Sequence, residues 1–211
     1  MSTDTINQVS RAITKALRHD AKFPKVDNGY ATLDTIVSRF KLNDRIKQLP
    51  QFSNIQELLR HLVNTDNKSR FGVRCSDGTE LSSNVTARHT ITHLRANQGH
   101  SCNVSIEMER LTPEMIGRHF VMIHGTTMDA WQKIKKDGLS KMTRDYIHFA
   151  KGLPGEVKSG MRQSSQVLIY IDAAKVMAAN IPIYTSANGV LLCKGVNGVL
   201  SPCYFAKVEF R

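Results

Sequence analysis

From Val9 the apolar residues fall at Val9, Ala12, Ile13, Ala16 and Leu17, the spacing that places one face of a helix against a core. The polar stretch before Val9 predicts a frayed terminus. Arg18 and His19 close the helix, where cations interact favourably with its dipole. Gly29-Tyr30-Ala31 reads as a turn into a short extended piece. Thr32 then caps a helix that carries Leu33, Ile36, Val37 and Phe40 on one face. Residues 41–50 are polar and carry no strong signal. Ser53 and Gln56 form a capping box before Leu58, Leu59, Leu62 and Val63, which predicts a third helix. Phe71, Val73 and Cys75 alternate as in a strand, Ser76-Asp77-Gly78-Thr79 is a hairpin turn signal, and a second extended run ends in Ile91-Thr92-His93-Leu94.

Three helices followed by a β-hairpin describe a winged-helix module, a fold that often binds nucleic acid without dictating function. Arg70, Arg74, Arg88 and Lys68 cluster near the hairpin. They suit backbone phosphates, and equally suit solvated strand edges that resist aggregation. The texture changes after a linker over residues 102–114, which carries a strand and a break at Pro113. Phe120-Val121-Met122-Ile123 reads as a buried strand ending in His124-Gly125-Thr126. Thr127 caps a helix bearing Ala130, Trp131 and Ile134, and Gly138 stops it. A short strand over 146–149 carries His148. A loop over 151–162 holds Gly152, Gly155 and Gly160 with Lys151, Lys158 and Arg162. Val167 to Ile171 is another strand, followed by a short helix over 173–179. Asn188-Gly189 and Asn197-Gly198 mark two hairpins, and the chain ends in a strand over 204–210. The fold class is therefore α+β, with a helical and hairpin lobe over residues 1–101 and a strand-rich lobe over 102–211.

Charge narrows the partners. The 211 residues carry 29 Lys and Arg against 18 Asp and Glu, a net charge of +11, which favours an anionic partner. Residues 1–100 hold 15 basic and 9 acidic side chains and residues 101–211 hold 14 and 9, so the charge is not a tail. Cys75, Cys102, Cys193 and Cys203 are scattered, without Cys-x-x-Cys spacing or a neighbouring His, so no structural metal is expected. The chain shows no signal peptide or long apolar run. It reads as intracellular, nuclear or cytoplasmic, with reduced thiols and no membrane partner. No Gly-x-Gly-x-x-Gly follows a strand and no Walker loop is present, which disfavours Rossmann and P-loop nucleotide sites.

The densest chemistry lies near the midpoint, in Leu94-Arg95-Ala96-Asn97-Gln98-Gly99-His100-Ser101. Hydrogen-bond donors crowd around one Gly. The Gly lets backbone approach a ligand, and the Arg offers a planar fork suited to phosphate oxygens. The stretch is a candidate anion clamp, or else a polar inter-domain linker.

Arg95-Ala96-Asn97-Gln98-Gly99-His100-Ser101 resembles the signature of the RNA 2′-phosphotransferase family. Leu17-Arg18-His19, His124-Gly125-Thr126, and Gly138-Leu139-Ser140-Lys141-Met142 running into His148 agree with it in the same order. The resemblance runs from about Ser10 to Phe210. It implies a C-terminal lobe with the ADP-ribosyltransferase fold that binds NAD, which composition and periodicity do not reveal. It implies removal of an internal 2′-phosphate from RNA, such as that of a spliced tRNA. A phosphate oxygen attacks the anomeric carbon of the nicotinamide ribose, so the phosphate is ADP-ribosylated. The ribose 2″-hydroxyl then attacks phosphorus in a transesterification that leaves 2′-hydroxyl RNA, ADP-ribose 1″,2″-cyclic phosphate and nicotinamide.

By the same resemblance, Arg18, Arg95 and Arg162 grip the phosphate and His19 serves the second step. Gln98, Gly99 and His100 frame the phosphate, while His124, Gly125, Thr126, Ser140 and His148 hold NAD. Such chemistry needs fixed cations for a doubly charged group and a histidine to move a proton. The expected enzyme is a monomer without a metal. The sequence departs from the family in Thr14-Lys15-Ala16-Leu17, more polar than expected, which predicts looser packing there. Two rival readings remain. One is an ADP-ribosyltransferase acting on terminal phosphates or protein, which needs no second-step group. The other is a non-catalytic winged-helix RNA-binding protein, which predicts salt-sensitive binding without NAD.

Overall fold

The computed structural model describes residues 2–211 except 103, 118–119, 154–155, 158–159 and 163. Gly155 and Lys158 of the expected basic loop lie outside the described residues. The chain divides into two compact units, residues 1–107 and 108–211. The division falls beyond Ser101 because the following segment is tied to the first unit. The Glu107 amide donates to the Asn28 side chain at 2.7 Å, and Gly29 packs against Val104 and Ile106.

The first unit opens with α1 (Ser2–His19), then β1 (Ala31–Thr32), α2 (Leu33–Phe40), α3 (Leu42–Ile46) and α4 (Ile55–Thr65). β2 (Phe71–Cys75), β3 (Glu80–Leu81) and β4 (Ile91–Ala96) follow, and the antiparallel sheet runs β1-β4-β2-β3. Its core gathers Val9, Ile13 and Leu17 of α1 with Leu58, Leu59, Leu62 and Val63 of α4 and Phe71, Val73 and Leu94 of the sheet. Each such side chain contributes about 1.5–3 kcal/mol by leaving water.

Four local expectations are corrected. α1 begins at Ser2 instead of fraying up to Val9, because Ile6 also packs on the core and Asp4 sits in the first turn. α3 occupies part of the stretch expected to be featureless; its Leu42 and the following Leu49 are fully buried. α4 is capped one residue later than expected: the Asn54 side chain accepts from the Glu57 amide, and Glu57 accepts from the Ser53 amide. Gln56 is thereby released to bond both backbone groups of Ile91. Around Thr14-Lys15-Ala16-Leu17, packing is not loosened. Leu17 is fully buried and the Thr14 hydroxyl donates to the Ser10 carbonyl.

The second unit contains β5 (Glu109–Arg110), β6 (Ile123–Thr126), α5 (Met128–Asp137), β7 (Leu139–Ser140), β8 (Ile147–Phe149), β9 (Val167–Ile171), α6 (Ala173–Ala178), β10 (Ile183–Thr185), β11 (Leu191–Cys193), β12 (Val199–Leu200) and β13 (Phe205–Phe210). Antiparallel sheets run β13-β9-β6 and β5-β10-β11-β8, and β7 pairs with β12. A bridge between Ile123 and Ala150 joins the first two at β6 and β8. Thr127 caps α5 and Gly138, at φ 88°, ends it. The strand expected over 120–123 begins only at Ile123, so His124-Gly125-Thr126 lies within β6 and not after it. No helix among the described residues is long and apolar enough to cross a membrane.

Candidate functional site

In the first unit the clamp stretch folds onto the end of α1. The last carbonyls of any helix lack intrahelical partners. Here the Arg18 carbonyl accepts from the Ser101 amide at 3.0 Å and from the Cys102 thiol at 3.2 Å. The Ser101 hydroxyl lies 2.9 Å from His19 Nδ1. Gly99, at φ 88°, passes so close that a Cβ there would sit 3.4 Å from Arg18 Nε. Two segments about eighty residues apart thus meet, bringing Arg18, His19, Gly99 and His100 together. Arg18 and Gln98 are half-buried, His19 is exposed, and His100 is buried.

Arg95, 7% exposed on β4, is held from several sides. Its guanidinium lies over the Tyr30 ring at 4.7 Å, and its Nη2 is 3.8 Å from Glu80. Tyr30 is fully buried and carries Arg74 on its ring as well, at 4.3 Å. Arg74 pairs with Asp27 at 2.8 Å and Glu80 at 3.0 Å. Opposite Arg95 in the sheet stands Gly72, where a Cβ would meet the Asn97 side-chain oxygen at 2.7 Å and Arg95 Nε at 3.2 Å. Asn97, 1% exposed, donates to the carbonyls of Ser69 and Phe71 and to the Ser82 hydroxyl. Tyr30, Gly72 and Glu80 are therefore supporting residues that the sequence reading missed, while Arg74 and Asn97, singled out there for phosphate contact and for the clamp, serve instead to brace Arg95 and its strand. Strand register puts the first three beside Arg95: β1 pairs with β4 across some sixty residues and brings Tyr30, β2 places Gly72 opposite Arg95, and β3 adds Glu80.

The electrostatics of this cluster favour an anion. Burial, reinforced by repulsion from Arg18, Lys25, His19 and Arg95, pushes His100 down to about 3. Lys25, another residue not anticipated, is fixed by the Asp20 and Phe23 carbonyls. Neutral His100 makes the fold acid-sensitive. The unfolded chain takes up that proton near pH 6.5, while the folded chain refuses it until about pH 3. Stability attributable to this group is intact above pH 6.5 and falls as pH drops through that window. His100→Gln should flatten this part of the curve, as measured by urea unfolding at pH 7 and pH 4.5. An unchanged difference between the two pH values would contradict a neutral buried imidazole.

In the second unit His124, Ser140 and His148 line a cavity of about 700 Å³, walled by Ile134, Leu139, Ile147 and Tyr146 and rimmed by Lys141 and Arg144. That volume suits a small organic ligand. His124 Nδ1 lies 2.9 Å from the His148 carbonyl, which only accepts, so this nitrogen carries the proton. Burial lowers the His124 pKa, leaving a neutral ring whose Nε2 is an acceptor. The exposed Ser140 accepts from the Met142 amide at 3.0 Å. Thr126 pairs with Val167 at the end of β6 and does not line the cavity.

Gly125 reveals a link to Arg162. A Cβ at Gly125 would meet Met161 Cγ and Ser165 Oγ, each at 2.4 Å. Ser165 donates to the Arg162 carbonyl at 2.7 Å. Gly160, at φ 97°, presses on the backbone of Ala150 and Phe149. The exposed Arg162 therefore rides on a segment seated against β6 and β8. Gly125→Ala should displace that segment and destabilise the protein by about 1–3 kcal/mol, the usual cost of overpacking. Denaturant unfolding measures it, and an unchanged midpoint would mean that Met161 and Ser165 give way freely. Among the described residues no group of His, Cys, Asp and Glu could hold a metal ion.

The chain is similar to known proteins. Residues 4–195 match the model of the RNA 2′-phosphotransferase, Tpt1/KptA family. A Schizosaccharomyces pombe protein named for tRNA 2′-phosphotransferase activity is 38% identical over 208 residues, which cover 95% of this chain and 50% of that protein. The Bos taurus and Homo sapiens proteins named tRNA 2′-phosphotransferase 1 are 37% and 36% identical over 207 residues, covering 94% of this chain and 73% of each. The chain thus spans half the length of the fission-yeast relative and about three quarters of the mammalian ones.

Proposed function

The chain belongs to the RNA 2′-phosphotransferase, Tpt1/KptA family, and we propose that it removes an internal 2′-phosphate from RNA, such as that of a tRNA splice junction, with NAD as co-substrate. The observation that carries this reading is the meeting of Arg18, His19, Arg95, Gly99 and His100 around one electropositive point. A dianionic phosphate satisfies that field, and its charge offsets the repulsion that depresses His100.

Each residue has a task in this proposal. Arg18 and Arg95 grip phosphate oxygens, Arg95 pre-aimed by Tyr30 and Glu80. Arg162, on the second unit, is assigned to the same phosphate by the family resemblance alone. His19, exposed and oriented by Ser101, moves the proton between hydroxyl groups. Gln98, Gly99 and His100 frame the phosphate through backbone approach and a neutral imidazole. The first unit serves as a winged-helix RNA lobe.

The second unit serves as the NAD lobe, with the ADP-ribosyltransferase fold. Its cavity fits a dinucleotide: apolar walls suit a ring, Lys141 and Arg144 suit a pyrophosphate, and the His124 acceptor suits a ribose hydroxyl. Ser140 and His148 complete that lining, whereas Gly125 and Thr126, which do not line the cavity, are assigned to NAD by the family resemblance alone. Bound NAD would supply an electrophilic ribose carbon and the neighbouring hydroxyl. Because nicotinamide departs neutral, no acid is needed for the first bond cleavage. The test is nicotinamide release. It should appear when both NAD and 2′-phosphorylated RNA are present and be absent with an unphosphorylated twin. No release with both present would overturn the reading.

A further inference from the structure

A cavity of about 670 Å³ in the first unit lies outside the clamp and opens onto it. One wall is the outer face of α1, lined by Asn7, Arg11, Lys15 and Arg18; the other is the end of α4 and the turn after it, with Asp66 and Arg70. The α1 residues fall on one stripe at helical spacing, about 16 Å long at 1.5 Å per residue. Arg11 and Lys15 are both exposed. Like charges at i and i+4 destabilise a helix by a few tenths of a kcal/mol, so this stripe is kept against local stability.

The acid in the groove does not cancel it. The Asp66 side chain is 3% exposed, and it is consumed by the Arg70 guanidinium and by the amides of Lys68 and Arg70. What faces solvent is cationic and rich in donors. The groove is also continuous with the clamp at both walls. α1 ends in Arg18 and His19, and the Arg70 carbonyl accepts from the Asn97 amide, within the clamp stretch, at 2.8 Å.

We infer that this groove is a binding track for the RNA strand flanking the 2′-phosphate, with Arg11 and Lys15 neutralising backbone phosphates beyond the reacting nucleotide. This rests on the proposal that the substrate is RNA. The track carries no base readout: charges on flexible stems contact backbone, so binding should be salt-sensitive and sequence-tolerant.

The test is the double variant Arg11→Glu/Lys15→Glu, with Arg11→Gln/Lys15→Gln as a milder partner. Both residues are exposed and outside the clamp, and Glu and Gln are good helix formers. Against a 2′-phosphorylated oligoribonucleotide of about twenty nucleotides, the Glu pair should raise KM about tenfold and the Gln pair less. A trinucleotide bearing the same 2′-phosphate should be turned over as by the parent protein. In direct binding of unmodified single-stranded RNA, the slope of log K against log salt should shrink by about 1.4 for the Gln pair, at roughly 0.7 per lost phosphate contact. Equal losses on long and short substrates, or an unchanged salt slope, would overturn the track. Parent protein that removes no phosphate from any RNA would instead overturn the proposed activity, while the salt slope still decides the groove.

Discussion

Arg95→Ala is expected to lower kcat/KM for 2′-phosphate removal by about 10²–10³-fold, with the protein still folded. The magnitude follows from the roughly 3–4 kcal/mol that one well-placed electrostatic donor contributes to a buried site. Arg95 is such a donor because its surroundings fix it before any ligand arrives. The Tyr30 ring lies under it, Glu80 flanks it, and Gly72 leaves the space its stem occupies. Its Nε is buried and has no protein partner among the described residues, an arrangement that costs about 1–3 kcal/mol unless something accepts from it. Arg95→Lys should recover little, since an ammonium has no planar fork to share between two oxygens. Steady-state kinetics on a 2′-phosphorylated oligonucleotide, paired with a thermal unfolding curve, measures both halves of the expectation. Activity within a few-fold of the parent would remove Arg95 from the phosphate site.

His19→Ala is expected to separate the two halves of the reaction. Its Nδ1 lies 2.9 Å from the Ser101 hydroxyl, which orients the exposed ring. A positioned general acid or base is worth about 10²–10⁴-fold, and only the second half requires a proton to pass between hydroxyls. Nicotinamide release in a single turnover should therefore persist, while release of 2′-hydroxyl RNA slows by that factor and RNA of higher mass, carrying ADP-ribose on its phosphate, builds up. Equal slowing of both events would place His19 in phosphate binding instead.

Local chemistry was legible in the chain wherever neighbours decide it. Thr32 and Thr127 cap helices, Gly138 stops one, and Asn197-Gly198 turns a hairpin, each through groups within four residues. Where two nearby solutions compete, the pattern misleads by a residue or more. Asn54 caps α4 in place of Ser53 because Gln56 has a better partner in Ile91. β6 starts at Ile123 because pairing with β9, not hydrophobicity, sets its bounds. The residues proposed for chemistry, Arg162 apart, were named from ordered motifs. Their supports were not, since Tyr30, Glu80 and Gly72 matter only through strand register and look like an unremarkable turn, edge and strand glycine. The coupling of Gly125 to Arg162 is of the same kind, carried by Ser165 across a sheet edge.

The most direct measurement is the mass of the products formed from an oligoribonucleotide with one internal 2′-phosphate, with and without NAD. NAD-dependent conversion to 2′-hydroxyl RNA, matched mole for mole by ADP-ribose 1″,2″-cyclic phosphate, is the predicted result. RNA that keeps its phosphate while binding the protein tightly, or that ends as a stable ADP-ribosylated product, would contradict it.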